Sequence, residues 1–123
     1  MARILIVDDE PSNRLLLVAI LEPAGYELSE AADGAAALRQ AKEERPDLII
    51  TDLNMPGMGG PDFLTELRRD PELKDVKVAL YTATAANPDL WQFMETAGVT
   101  RIIPKPSDPR EVLNVVSAIL EGR

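Results

Sequence analysis

Apolar residues gather in five short runs along the chain, at residues 4–7, 48–51, 76–81 and 99–103, with a weaker one at 26–31. Continuous apolar runs of this length suit strands buried on both faces, as in a parallel sheet. Between them, apolar positions recur at helical spacing over residues 12–23, 34–44, 61–69, 88–97 and 109–120. Pro61, Pro88 and Pro109 sit where helices begin, a position at which the missing N–H costs nothing, and Asn87 and Asp108 precede two of them as N-caps. Gly25 and Gly98 follow helices as C-terminal stops. Strict strand-helix alternation with short connections implies right-handed crossovers and a sheet covered on both faces. The pattern therefore predicts a doubly wound five-stranded α/β fold, and such folds place their sites at the carboxyl ends of the strands.

That rule gives meaning to the stretch "ILIVDDEP", in which a buried strand ends in three adjacent carboxylates. Strand 1 delivers Asp8, Asp9 and Glu10, strand 3 delivers Asp52 followed by Asn54, strand 4 delivers Thr82 and strand 5 delivers Lys105-Pro106. Like charges crowd together only around something positive, and oxygen donors of this kind suit Mg²⁺. A carboxylate beside a metal, a lysine and a hydroxyl can act as nucleophile toward a phosphoryl group. Asp52 is the best candidate, because it ends the apolar run "DLIITD" and heads the loop "LNMPGMGG", whose glycines let backbone groups approach a ligand. Glu10 reads instead as a residue stabilising the first helix through its dipole. Asn54 also suits a turn. Gly57, Gly59 and Gly60 lack the Lys-Ser/Thr ending of a phosphate-cradling P-loop and read as loop flexibility.

Composition narrows the chemistry. The chain has 123 residues, the size of one domain, with no cysteine and no histidine. Disulfides, zinc-cysteine sites, thiol catalysis and imidazole chemistry are excluded. A net charge of -8 opposes attraction to nucleic-acid phosphates. No apolar run approaches the ~18 residues of a membrane span, and no secretory leader opens the sequence, so a cytoplasmic location is expected.

With "ILIVDDE", "PDLIITDLNMPGMGG", "YTA" and "PKP" at their intervals, the sequence resembles the receiver domain of two-component response regulators over essentially its whole length. The resemblance implies a flavodoxin-like fold with strand order 2-1-3-4-5 and a single receiver domain over residues 1–123 without an output domain. It implies that Asp52 accepts phosphate from the histidine of a partner kinase or phosphotransfer protein. Asp9 would ligate Mg²⁺ with help from Asp8, and the carbonyl of Asn54 would complete the protein ligands beside Asp52. Thr82 would hydrogen-bond the phosphoryl group, Lys105 would pair with it, and the Lys105-Pro106 peptide would be cis. A chain without histidine must receive its phosphoryl group from another molecule. It is thus expected to be a switch with slow loss of its own phosphate, not an enzyme, acting on a downstream protein target.

One position departs from the pattern. Receiver domains usually carry an aromatic residue three positions before the lysine, and here that residue is Ile102. Either Ile102 responds through packing, or the signal leaves by another surface. Trp91 on the fourth helix either leans over the core or joins Ile102, Leu113 and Leu120 in a partner patch on the helix 4, strand 5 and helix 5 face. The first helix, "SNRLLLVAIL", is apolar all round, which points to an interface with a kinase or a second copy, burial by the second helix or the chain's own ends being the alternative. Two rival functions remain at this level. A haloacid-dehalogenase-type phosphatase would need an aspartate two positions after the nucleophile, where Asn54 stands and cannot shuttle protons. A degenerate receiver acting as a constitutive scaffold rests on Ile102 alone.

Overall fold

The computed structural model describes residues 2–53, 58, 60–83, 88–99, 101–105 and 107–122. Five strands, β1 (Arg3–Val7), β2 (Glu27–Ala31), β3 (Leu48–Thr51), β4 (Lys77–Thr82) and β5 (Arg101–Pro104), form one sheet in the order β2-β1-β3-β4-β5, with every pairing parallel. Five helices connect and cover them: α1 (Pro11–Leu21), α2 (Gly34–Glu43), α3 (Gly60–Arg69), α4 (Pro88–Ala97) and α5 (Pro109–Leu120). The fold class and strand order expected from the sequence are those observed.

Side-chain alternation sorts each central strand into two cores. Ile4 and Ile6 of β1, Leu48 and Ile50 of β3, Ala79 and Tyr81 of β4 and Ile103 of β5 pack with Leu17 and Leu21 of α1 and Val112, Val116 and Ile119 of α5. The opposite set, Leu5, Val7, Ile49, Val78 and Leu80, packs with Ala37 and Ala41 of α2, Phe63, Leu64 and Leu67 of α3 and Met94 of α4. Burying one such large side chain stabilises the fold by about 1.5–3 kcal/mol, which is why the strands read as unbroken apolar runs.

The helix ends follow local chemistry. Asp33 caps α2 by accepting the Ala36 N–H at 2.8 Å, and Asp108 caps α5 by accepting the Arg110 N–H at 2.8 Å. The expected Asn87 cap lies outside the described residues. The first helix stops at Leu21 instead of residue 23, and Glu22–Ala24 tightens into a 3-10 turn around Pro23. Gly25 closes that turn at φ 93° and Gly98 ends α4 at φ 69°, left-handed conformations that favour glycine.

β4 and β5 begin slightly later than the apolar runs suggest. The Val76 N–H bonds the Leu73 carbonyl at 3.1 Å and the Val99 N–H bonds the Met94 carbonyl at 3.0 Å. Both valines are buried, but their donors serve turns and not the sheet. Leu15 and Leu16 on α1 are 69% and 46% exposed, so among the described residues neither the second helix nor the segments toward the chain ends bury them. Ile102 packs partly buried into the core beneath α3 and α4, whereas Leu113 and Leu120 join the core beneath α1 and α5. The Trp91 side chain lies outside the described residues.

Candidate functional site

Three strands continue for one further hydrogen bond beyond their last residues. The Asp8 N–H bonds the Ala31 carbonyl at 3.1 Å, the Asp52 N–H bonds the Val7 carbonyl at 3.0 Å, and the Lys105 N–H bonds the Thr82 carbonyl at 3.0 Å. Each residue thereby inherits the alternation of its strand: Asp8 follows Ile6, Asp52 follows Ile50 and Lys105 follows Ile103, all on the α1-α5 side. The apolar stripe of one core ends in a charged cluster.

Lys105 Nζ donates to Asp52 Oδ2 at 2.9 Å and to Asp8 Oδ2 at 3.1 Å. The other oxygens of these carboxylates are held by backbone: Asp8 Oδ1 accepts the Glu10 N–H at 2.9 Å, and Asp52 Oδ1 accepts the Leu53 N–H at 2.7 Å. Arg14 Nη1 donates to the Asp8 carbonyl at 2.6 Å, tying the first turn of α1 to the same loop. Asp8 is buried and Asp52 nearly so, while Asp9 is half-buried. Burial works against the Lys105 ammonium, but the hydrogen bonds and charges of Asp52 and Asp8 outweigh it and raise its pKa above the usual lysine value.

Carboxylate oxygens of Asp8, Asp9 and Asp52 all lie within 4.8 Å of one another. Lys105 contacts Asp8 and Asp52; among the described residues no cation contacts Asp9. One ammonium against three carboxylates leaves an excess of negative charge, and the donors are all oxygens. Such a set fits a hard divalent cation such as Mg²⁺.

Thr82 ends β4, fully buried, with its hydroxyl-bearing side chain on the parity of Leu80, toward α3 and α4. Glu10 occupies the N-cap position of α1, where its carbonyl accepts the Asn13 and Arg14 N–H groups while its side chain makes no capping bond. Asn54, Gly57, Gly59 and Pro106 lie outside the described residues, and with them the expected carbonyl ligand and cis peptide. The structure thus brings together Asp8, Asp9, Asp52 and Lys105, with Thr82 at the end of the adjoining strand.

Two contributors were not evident from sequence. Tyr81, 3% exposed, places its ring beneath Lys105, with Nζ 5.1 Å from the ring centroid. The signal that could have found it is register: Tyr81 pairs with Ile103, and Lys105 lies two residues further along the same face. Arg14 is the second, and nothing short of the loop geometry announces it. A cavity of about 470 Å³ lined by Arg68, Lys74, Thr96 and Gly98 lies at the other end of the sheet. There Arg68 spends its donors on the carbonyls of Lys74, Val76, Ala97 and Gly98, and the three carboxylates and the lysine of the carboxyl edge have no part in it.

Comparison with known proteins gives the same answer from three directions. The family model described as "Response regulator receiver domain" matches residues 4–117. Protein PilH of Pseudomonas aeruginosa is 33% identical over 123 residues, covering 99% of this chain and all of PilH. The phosphate regulon transcriptional regulatory protein PhoB of Escherichia coli is 35% identical over 118 residues, 96% of this chain, which spans about half (51%) of PhoB. The chemotaxis protein CheY4 of Vibrio cholerae superposes with a TM-score of 0.91 at 35% identity, covering 97% of this chain and 98% of CheY4. A receiver domain of the Pseudomonas aeruginosa sensor histidine kinase PA1611, solved with a magnesium ion coordinated in its active-site cleft, superposes with a TM-score of 0.88 at 28% identity, covering 98% of each chain.

Proposed function

The chain belongs to the response regulator receiver domain family, and from that premise we propose that it is a phosphorylation-dependent switch in which Asp52 is the phosphoryl acceptor. The observation that carries the reading is the convergence of Asp52, Asp8 and Asp9 within 4.8 Å, with Lys105 bonded to Asp52 at 2.9 Å. An Asp52 carboxylate oxygen forms a bond to phosphorus while the bond from phosphorus to the donor breaks, its electron pair leaving with the donor's imidazole nitrogen. The donor in this reading is the phosphohistidine of a kinase or phosphotransfer protein, and it lies outside these 123 residues, which hold no histidine.

Each neighbour has a task in that step. Asp8 and Asp9, with Asp52 and the carbonyl of Asn54, would hold Mg²⁺, which supplies charge neutralisation to the phosphoryl oxygens when bound. Lys105 exchanges its contact with Asp52 for one with a phosphoryl oxygen, and Thr82 donates a hydrogen bond from its hydroxyl to another. Backbone N–H groups at Glu10 and Leu53 fix the two buried carboxylates before the donor arrives. Preorganisation of this kind is where most of the barrier reduction in phosphoryl transfer comes from. The exposed leucines Leu15 and Leu16 on α1 form the apolar surface on which a kinase or a second copy docks. In this reading residues 1–123 act as one receiver module that signals through protein contacts.

The test is intact mass spectrometry after incubation with acetyl phosphate, with and without Mg²⁺, on the wild type and on Asp52→Asn. The reading expects a single phosphoryl adduct that needs both Mg²⁺ and Asp52. A folded protein that takes no adduct refutes it and leaves a constitutive scaffold in its place.

A further inference from the structure

Lysine is a compact charge on a flexible four-carbon stem, so a site that uses one must restrict where it sits. The contacts of Lys105 to Asp8 and Asp52 do this in the resting site. They are poor guides during reaction, because both carboxylates would be engaged by a bound metal and, at Asp52, by the phosphoryl group. The Tyr81 ring changes nothing. It is held by burial against the α1-α5 core and by the pairing of Tyr81 with Ile103, and it faces the Lys105 ammonium at 5.1 Å.

We propose that Tyr81 is a positioning residue for phosphoryl acceptance: its ring is a fixed floor under Lys105 that keeps the ammonium aimed between Asp8 and Asp52. The inference rests on the reading of Asp52 as acceptor and deepens it. A ring face attracts an ammonium through its quadrupole, and more strongly where water is excluded. Parallel register supplies the aim. Tyr81 of β4 and Lys105, one residue past the end of β5, are diagonal neighbours on one face, so the ring meets the ammonium without competing for its hydrogen bonds. A merely structural Tyr81 would fill core volume, and any apolar side chain of similar size would serve.

Two substitutions separate these roles. Tyr81→Phe keeps the ring, and Tyr81→Ile keeps an apolar strand residue without it. In the wild type, the Lys105 Hε protons are expected to show an upfield ring-current shift in carbon-proton NMR spectra, kept in Tyr81→Phe and lost in Tyr81→Ile. With acetyl phosphate at saturating Mg²⁺, Tyr81→Ile is expected to lower the limiting rate constant about three- to tenfold, the range a cation–π contact of ordinary strength corresponds to. The concentrations of acetyl phosphate and Mg²⁺ giving half-maximal rate stay unchanged, and Tyr81→Phe stays close to wild type. A wild-type lysine without the ring-current shift overturns the proposal even if Tyr81→Ile fails to fold. A folded Tyr81→Ile protein reacting at the wild-type rate overturns it too, as does a Tyr81→Phe protein as slow as Tyr81→Ile, which would assign the role to the hydroxyl. Those results leave Asp52 as acceptor intact, whereas a wild type that takes no phosphoryl group removes both.

Discussion

Replacing Asp9 by asparagine should make the metal-free protein more stable. The substitution keeps the shape of the side chain and removes one of three charges whose oxygens lie within 4.8 Å of each other. Two unit charges at that spacing repel by about 3.5 kcal/mol at an effective dielectric of 20 and by about 0.9 kcal/mol in bulk water. Asp9 is half-buried and faces two carboxylates, while Lys105 offsets part of their charge. A net gain of about 1–2 kcal/mol follows for Asp9→Asn, or roughly 4–8 °C in Tm for a domain of this size. The assay is thermal unfolding at neutral pH and low salt, with a chelator present, repeated with Mg²⁺. Bound metal stabilises the wild type by RT ln(1 + [Mg²⁺]/Kd), about 2.7 kcal/mol at a hundred times Kd, and Asp9→Asn should lose most of that increment. High salt should shrink the metal-free difference, since part of the repulsion is exposed to screening. A variant with unchanged or lower metal-free Tm and an undiminished response to Mg²⁺ would refute the view that Asp9 is a carboxylate held in place for a cation.

Stability should also fall in alkaline solution for a reason located at the same edge. Lys105 and, mainly through burial, Tyr81 have pKa values raised in the folded protein above their ordinary 10.5 and 10.0. The folded state therefore holds protons that the unfolded state has released, so their contribution is complete below about pH 10 and disappears as pH rises through the folded values. Urea midpoints across that window should decline, and Tyr81→Phe should decline less; an equal decline would place the effect elsewhere. At the opposite end of the sheet, Arg68→Met removes the donors to the carbonyls of Lys74, Val76, Ala97 and Gly98 and should cost about 2–3 kcal/mol in urea unfolding. Arg68→Lys should recover little of this, because a single ammonium cannot span carbonyls on α4 and on the turn before β4.

Much of this was legible in the chain because parallel strands buried on both faces must be apolar at every position, so "LIIT" and "ILIV" announce themselves. Helix ends were legible where the cause was local, as at Asp108 and Gly98. The carboxyl-edge rule brings Asp8, Asp52 and Lys105 together from the sequence alone. What escaped was whatever depends on the relation between elements. Apolar character marked Val76 and Val99 as strand, but their N–H groups are taken by Leu73 and Met94. Arg68 reads as one of two arginines at a helix end, and only the folded chain sets it among four carbonyls. Tyr81 reads as core, which it is, and its second role needs the register of β4 against β5.

Tyr81 and Thr82 are adjacent, so they face opposite sides of the sheet. Tyr81 meets Lys105 on the side of α1 and α5, and Thr82 lies on the side of α3 and α4. The end of β4 thus joins the charged cluster to both helical layers through neighbouring residues on one short strand end. Ile102 pairs with Leu80 and packs in the same layer that Thr82 faces. An aromatic residue at position 102 would offer a ring able to turn between inward and outward positions. Isoleucine, stiff at χ1, offers packing alone. A shift of Thr82 toward a phosphoryl group would then reach the α3-α4 layer as a change in how Ile102 is packed. A shift of Lys105 would be absorbed on the other side by a ring that burial holds still. The asymmetry directs the proposed signal toward α4 and leaves the α1-α5 layer the steadier of the two.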